Sequence, residues 1–239
     1  MTISWLAPTA EIRFPPLEHA TEHGLLAAGG DLSVARLLAA YRLGIFPWFN
    51  KQDPILWWSP NPRMVLAPSQ LKISKSLNKT LRRGDFQVTF DSAFNDVMLA
   101  CAAPRDKQNG KPHDTWIHDD MIAAYQQLHQ QGYAHSIECW QQDKLVGGLY
   151  GVAIGKMFFG ESMFSFVSNS SKVALVALTQ QLQRWQFPLI DCQVHSEHLA
   201  RLGAKILPRN DFIRVMQPLC DREHSPGRWQ LDADLPQPV

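Results

Sequence analysis

From Phe86 to Leu219 the apolar and polar positions recur with periods from which a fold can be read. FQVTF at 86–90 alternates every second residue and predicts a strand. Residues 92–102 have helical spacing and predict a helix, with Asp91 placed to cap it. A second helix is expected over 119–131, stopped by Gly132. Residues 134–141, 144–152 and 156–164 predict three strands joined by tight turns, a meander. The amphipathic run 171–186 predicts a long helix. After it come a strand at 189–194, a short helix at 196–202, a strand at 204–207 and a last helix at 210–219. The order β-α-α-β-β-β-α-β-α-β implies an α+β fold, a mixed sheet covered by helices.

The first part of the chain is less regular. Residues 1–30 are rich in Pro and Gly and read as loop. Asp31 and Ser33 offer N-caps, Val34, Leu37, Leu38 and Tyr41 follow at helical spacing, and Gly44 supplies a stop. Two aromatic groups, IFPWF at 45–49 and ILWWSP at 55–60, come next. A small N-terminal domain is therefore expected at about 1–65, with the regular domain at 66–239. The element order of the second domain is that of the GCN5-related N-acetyltransferase fold, an analogy of fold and not of function.

Composition narrows the partners. A chain of 239 residues, 45% hydrophobic and with a net charge of +1, is an ordinary globular protein and not a histone-like polycation. No apolar run approaches the roughly 20 residues of a membrane helix, and the N-terminus has no secretory pattern. Cys101, Cys139, Cys192 and Cys220 lie far apart, which fits reduced thiols in the cytosol. His113, His118, His129, His135, His195 and His198 form no metal-ligand spacing, and no P-loop, G-x-G-x-x-G or G-x-S-x-G motif occurs, so no metal or nucleotide cofactor is expected.

Chemistry concentrates in three groups. The first is Glu161, alone in the apolar stretch MFFGESMFSF at 157–166. A charge there either faces water from an edge strand or has a use. In an acetyltransferase-like sheet the strands bearing FFGES and LIDCQV lie side by side and splay apart, which would bring Glu161, Asp191 and Gln193 together. Asp191 and Gln193, two apart on a strand, are expected to share a face, with Ile190 and Cys192 on the other. The second group is aromatic. Trp48 and Trp116 stand outside any amphipathic repeat and could stack on nucleobases, while Trp57 and Trp58 are expected to pack between the domains. The third is basic: Lys72, Lys75, Lys79, Arg82 and Arg83 precede the first acidic residue of their stretch, Asp85, at helical spacings. They form either a solvated helix face or a grip for phosphates. Finally, the turn at 162–171, where an acetyltransferase would carry glycines against the pyrophosphate of its coenzyme, has none; Met163, Phe164 and Phe166 stand there instead.

Read in order, GGDLS, YRxGIFPWF, WWSPxPR, TWI, AHSIE, LVGGxYGV, FxGESMFS, SKxAL, LIDCQV and LGA make the chain resemble the leucyl/phenylalanyl-tRNA–protein transferases over about residues 24–215. The resemblance implies transfer of Leu, Phe and, less often, Met from aminoacyl-tRNA to proteins beginning with Arg or Lys, marking them for the bacterial N-degron pathway. It implies a small N-terminal domain followed by an acetyltransferase-like domain, and no cofactor. Carried over by motif, Trp48 and Trp116 would hold the terminal adenosine. Glu161, Asp191 and Gln193 would sit at the reacting centre. Phe158, Ile190, Leu149 and Leu178 would form the amino-acid pocket, and the loop at 105–114 would border the adenosine. Two other readings stay open on the residues: an acyltransferase using acetyl-CoA, and a non-catalytic RNA-binding module using the Trp and Lys/Arg groups alone.

Overall fold

The computed structural model describes residues 3–8, 11–103, 115–223 and 227–235. Its centre is a seven-stranded sheet. Chain order supplies β5 (Arg63–Leu66), β6 (Gln87–Phe90), β7 (Ala134–Gln141), β8 (Lys144–Ile154), β9 (Met157–Ser165), β10 (Leu189–Gln193) and β11 (Lys205–Leu207); across the sheet they run β11-β5-β10-β9-β8-β7-β6. The expected meander is β7–β9, paired antiparallel throughout. Only β9 and β10 run parallel.

Neighbouring residues on the strands point to opposite faces, each closed by helices. Phe159 and Val152 join α1 (Val34–Arg42), α3 (Phe94–Ala102), α4 (Asp119–Gln130) and α7 (Arg209–Cys220) in one apolar cluster. Phe158, Ile190 and Leu149 join α2 (Lys75–Arg83), α5 (Ser170–Arg184) and α6 (Glu197–Arg201) in the other. α1 starts where its cap says: the Ser33 hydroxyl accepts from Arg36 N–H, and Gly44 follows in the left-handed region. Ser196 caps α6 in the same way.

Several expectations are corrected. Residues 1–30 are not all loop: β1 (Ser4–Leu6) and β2 (Leu25–Gly29) pair with β4 (Leu56–Trp58) and β3 (Phe46–Pro47) in a second sheet, ordered β1-β2-β4-β3. Asp91 does not cap α3, which begins at Phe94. Its carboxylate instead takes bonds from His135 Nδ1 at 2.8 Å, Ser136 N at 2.8 Å and Trp229 N at 2.6 Å. The anionic partner at the start of α3 is Glu138, reached by Ser92 N and Ala93 N. Trp57 is fully buried, as expected, but Trp58 is half-buried, donating to Trp48 O at 2.6 Å. The division of the chain at about residue 65 stands as a proposal. β5 spans that position within the larger sheet, and Tyr41, Phe46 and Trp57 share one core with Phe94, Tyr125 and Phe159. Among the described residues no helix is long and apolar enough to cross a membrane.

Candidate active site

The parallel pairing of β9 and β10 ends at Phe159 opposite Asp191. Beyond it the strands part, and each carries a bulge. In β9, Glu161 is the residue left over as Gly160 and Ser162 pair with Gly151 and Tyr150. In β10, Cys192 is left over as Asp191 and Gln193 pair with Val65 and Met64, and Gln193 takes φ +63°. Bulges re-aim side chains. Here they turn Glu161 and Gln193 toward each other, and Gln193 Nε2 donates to Glu161 Oε1 at 2.8 Å.

The spacing-of-two argument therefore fails on β10. Asp191 lies on the other face of the sheet, fully buried, while Ile190, Cys192 and Gln193 line the cavity. Asp191 is gripped by Arg63, Nε at 2.8 Å and Nη2 at 2.6 Å, and its Oδ1 also accepts the Gln193 backbone N–H at 2.8 Å. The Arg63 guanidinium is itself 4.8 Å from the ring centres of both Phe46 and Phe212. Arg63 opens an apolar strand, RMVL, and that charge in a buried run was the signal available for it. What Asp191 does is mechanical: paired to Arg63, it pins the backbone that holds Gln193 in its left-handed conformation.

Glu161 is surrounded by neutral donors. Tyr41 hydroxyl reaches its Oε1 at 2.8 Å and Tyr125 hydroxyl its Oε2 at 3.0 Å, and the two phenols also touch each other. Both tyrosines sit at core positions of α1 and α4, where sequence gives no cue to a polar role. Three oxygen–oxygen contacts need three protons. The phenols bring two, so the triangle closes fully only when Glu161 carries the third. Withdrawal from water is the largest influence on this carboxyl; opposed by the phenols and the Gln193 amide but reinforced by the charge of Asp191, it pushes Glu161 up to about 7. Burial likewise holds both phenols well above their ordinary range, so they remain donors. Among the described residues Glu161 has no cationic partner.

Glu161 and Gln193 sit at one end of an apolar cavity of about 440 Å³. Phe158, Ile190, Leu149 and Leu178, the residues carried over for the pocket, all line it, and so does Trp116. Trp48 stands 43% exposed. Its neighbour Phe49 packs on His118 at 4.8 Å and Lys51 pairs with Asp119 at 3.5 Å, so the segments carrying Trp48 and Trp116 abut. The loop expected to border the adenosine, 105–114, lies outside the described residues.

All five cations of the basic group are exposed, four of them on α2, whose Leu77 and Leu81 face the core. Arg83 is partly spent on Asp85 at 2.9 Å. α2 flanks the cavity: Lys72 N bonds Leu202 O at the end of α6, whose Leu199 lines the cavity. Lys172 and Arg201, not singled out by sequence, oppose protonation of the cavity-lining His198, behind burial as the larger cause.

The start of α5 closes the question of a coenzyme cradle on physical grounds. Ser170 is fully buried and its hydroxyl reaches Val146 O at 2.8 Å and Val167 O at 2.7 Å, while Ser171 N–H is taken by Ser165 Oγ at 3.3 Å. The donors that would hold a pyrophosphate are turned to the protein's own serines. Among the described residues no group of three or more His, Cys, Asp or Glu could hold a metal ion.

The sequence matches the model described as leucyl/phenylalanyl-tRNA protein transferase over residues 65–217, and that of its N-terminal domain over 30–61. A leucyl/phenylalanyl-tRNA–protein transferase of Nitrosomonas eutropha is 57% identical, covering 94% of this chain and 95% of the relative. That of Nitrosomonas europaea is 56% identical (93% and 94% covered), and that of Thiobacillus denitrificans 56% (92% and 96%). Among solved structures, a GCN5-related N-acetyltransferase of Kribbella flavida aligns with a TM-score of 0.32 at 13% identity, covering 74% of this chain and 60% of that one, a likeness that carries no functional argument.

Proposed function

Because the chain belongs to the leucyl/phenylalanyl-tRNA–protein transferase family and is an enzyme of that kind, we propose that it moves Leu, Phe and, less often, Met from aminoacyl-tRNA to the α-amine of proteins beginning with Arg or Lys. The product would be marked for N-degron degradation. The observation that carries this reading is Glu161, a carboxyl with neutral donors around it and no internal cation, at the mouth of an apolar cavity. An acidic mouth suits a cationic acceptor, and the cavity suits an unbranched apolar side chain. Crowding at Cβ disfavours Ile and Val, whose branches are stiff.

The chemistry needs little. The ester is already activated, and an α-amine with a pKa of about 8 is partly neutral at neutral pH. Its nitrogen attacks the ester carbonyl carbon, the carbon–oxygen bond to the ribose breaks, and the tRNA leaves as its alcohol. Gln193, its Nε2 anchored on Glu161, offers Oε1 to an N–H of the attacking amine. Glu161, with a pKa of about 7, draws the amine as an anion and can take up its proton. Asp191 orients Gln193 through the backbone. Trp48 and Trp116 stack on the terminal adenosine, and no cofactor takes part. All four cysteines are free, as suits the cytoplasm, where charged tRNA is found.

The direct test mixes labelled Leu-tRNA with a peptide beginning in Arg. Label should appear on that peptide only with the protein present, and not on a peptide beginning in Ala; equal labelling of both would overturn the acceptor assignment. The site also fixes a pH dependence. As pH rises through about 7, Glu161 ionises and kcat/KM for the Arg peptide rises. Glu161→Gln should erase that inflection and leave only the amine's own titration at about 8. An inflection unchanged in the variant would show that it belongs to another group.

Lys72, Lys75, Lys79, Arg82 and Arg83 would hold the acceptor stem by its phosphates, with Arg83 contributing least because of Asp85. Each neutralised phosphate adds roughly −0.7 to −0.9 to the slope of log affinity against log salt, so tRNA binding should fall with a slope of about −3. Lys75→Ala and Lys79→Ala should each flatten it by somewhat under one. A slope near zero in the parent protein would show that these charges do not meet phosphate.

A further inference from the structure

Phe158 floors the cavity, and its own support comes from an unexpected place. Its ring lies over Gly151, where an added Cβ would come within 2.5 Å of its Cζ, so on that side it has no room to move. On another side stands Trp229, ring centre 5.8 Å away, only 7% exposed and outside the cavity itself. Trp229 lies beyond residues 65–217, the stretch that matches the transferase model.

The segment bearing Trp229 is firmly held. Trp229 N donates to Asp91 Oδ2 at 2.6 Å and Arg228 Nε to Asp91 O at 2.9 Å. Farther on, Asp232 N bonds Gln181 Oε1 at 2.8 Å, and Arg184 pairs with Asp232 at 3.2 Å and with Asp234 at 2.5 Å. The indole itself stacks on His135 at 3.8 Å with 7° between the planes, and meets Trp185 and Phe187 edge-on at 4.9 and 5.9 Å. A ring so enclosed behaves as a wall, because close-packed interiors transmit displacement instead of absorbing it.

We propose that Trp229 is a positioning residue for donor choice: by backing Phe158 it sets the depth of the pocket, and so the preference between Phe and Leu. This rests on reading the cavity as the donor side-chain pocket. Without the indole, Phe158 can lean back into the vacated volume, the pocket deepens, and the longer aromatic donor gains over Leu. Changes of this size in an apolar pocket move specificity by roughly tenfold or more.

The test measures kcat/KM for Phe-tRNA and Leu-tRNA with an Arg peptide in the full chain, for Trp229→Leu, Trp229→Phe and Phe158→Ala. Trp229→Leu should raise the Phe-to-Leu ratio about fivefold or more and leave the KM of the acceptor peptide unchanged. The milder Trp229→Phe should shift the ratio in the same direction by about twofold, and decides the matter if Trp229→Leu fails to fold. A purely structural role would lower both donors together and leave the ratio where it was. If Phe158→Ala moves the ratio and neither Trp229 variant does, the inference is overturned and the pocket stands. If Phe158→Ala does not move it either, the pocket assignment falls and takes the inference with it.

Discussion

Asp191→Ala is expected to lower the unfolding free energy by about 3–5 kcal/mol, because it strands Arg63 as an unpaired buried charge. The guanidinium cannot reach water: it is 1% exposed and lies against Phe46 and Phe212. Urea unfolding of the variant measures the loss directly. A companion variant separates stability from function. Arg63→Met combined with Asp191→Leu removes both charges and keeps the volume, which is often neutral or stabilising for a buried pair. Stability should return while transfer stays low, since Gln193 N–H has still lost the Asp191 oxygen that fixes its left-handed backbone. Full transfer activity in the double variant would mean that Asp191 is not needed to position Gln193. An unfolding free energy in Asp191→Ala within about 1 kcal/mol of the parent would mean that the pair is not buried as described.

Gln193→Ala should have the opposite profile: stability close to the parent, transfer reduced about 100-fold or more. Removing one preorganised hydrogen-bonding group from a reacting centre typically costs 10²–10³ in kcat. The side chain stands at the cavity mouth, with one hydrogen bond from its amide to Glu161. Little packing depends on it. Binding of Leu-tRNA should be unchanged, because the phosphates and adenosine are held elsewhere. Single-turnover rates at saturating tRNA and peptide would show this as a loss in the rate constant. A loss confined to KM would mean that Gln193 serves binding alone.

The regular part of the fold was legible because its elements obey one period each. α4, the β7–β9 meander, α5 and β10 fall where the apolar repeat places them, within a residue or two at their ends. The second sheet was not legible. Its strands are two to five residues long, too short for alternation to register, and they pair across the aromatic groups instead of with chain neighbours. β5 was hidden because all four of its residues are buried, leaving no polar beat. Asp91 shows how a local signal misleads. An acid before a helix looks like a cap, but its partners come from 44 to 138 residues away.

The site divided along the same line. Glu161 could be picked out as a charge in an apolar run, and Gln193 by its neighbourhood in LIDCQV. Their meeting depends on two bulges, and a bulge breaks the period of two on which strand arguments rest. That is why Asp191 was put on the pocket side, and why Cys192, assigned to the opposite side from Gln193, lines the cavity beside it. Tyr41 and Tyr125 look like core aromatics in the helical pattern, and are; only the turned carboxyl of Glu161 gives their hydroxyls a task.

A double-mutant cycle tests most directly whether Glu161 and Gln193 act as one centre across the parted strands. Single-turnover transfer of Leu to an Arg peptide would be measured for the parent, Glu161→Gln, Gln193→Ala and the double variant. Two groups working as a unit should show strong coupling, the double variant being slowed little more than the worse single variant. Losses that simply multiply, leaving a coupling energy under about 0.5 kcal/mol, would contradict a shared centre.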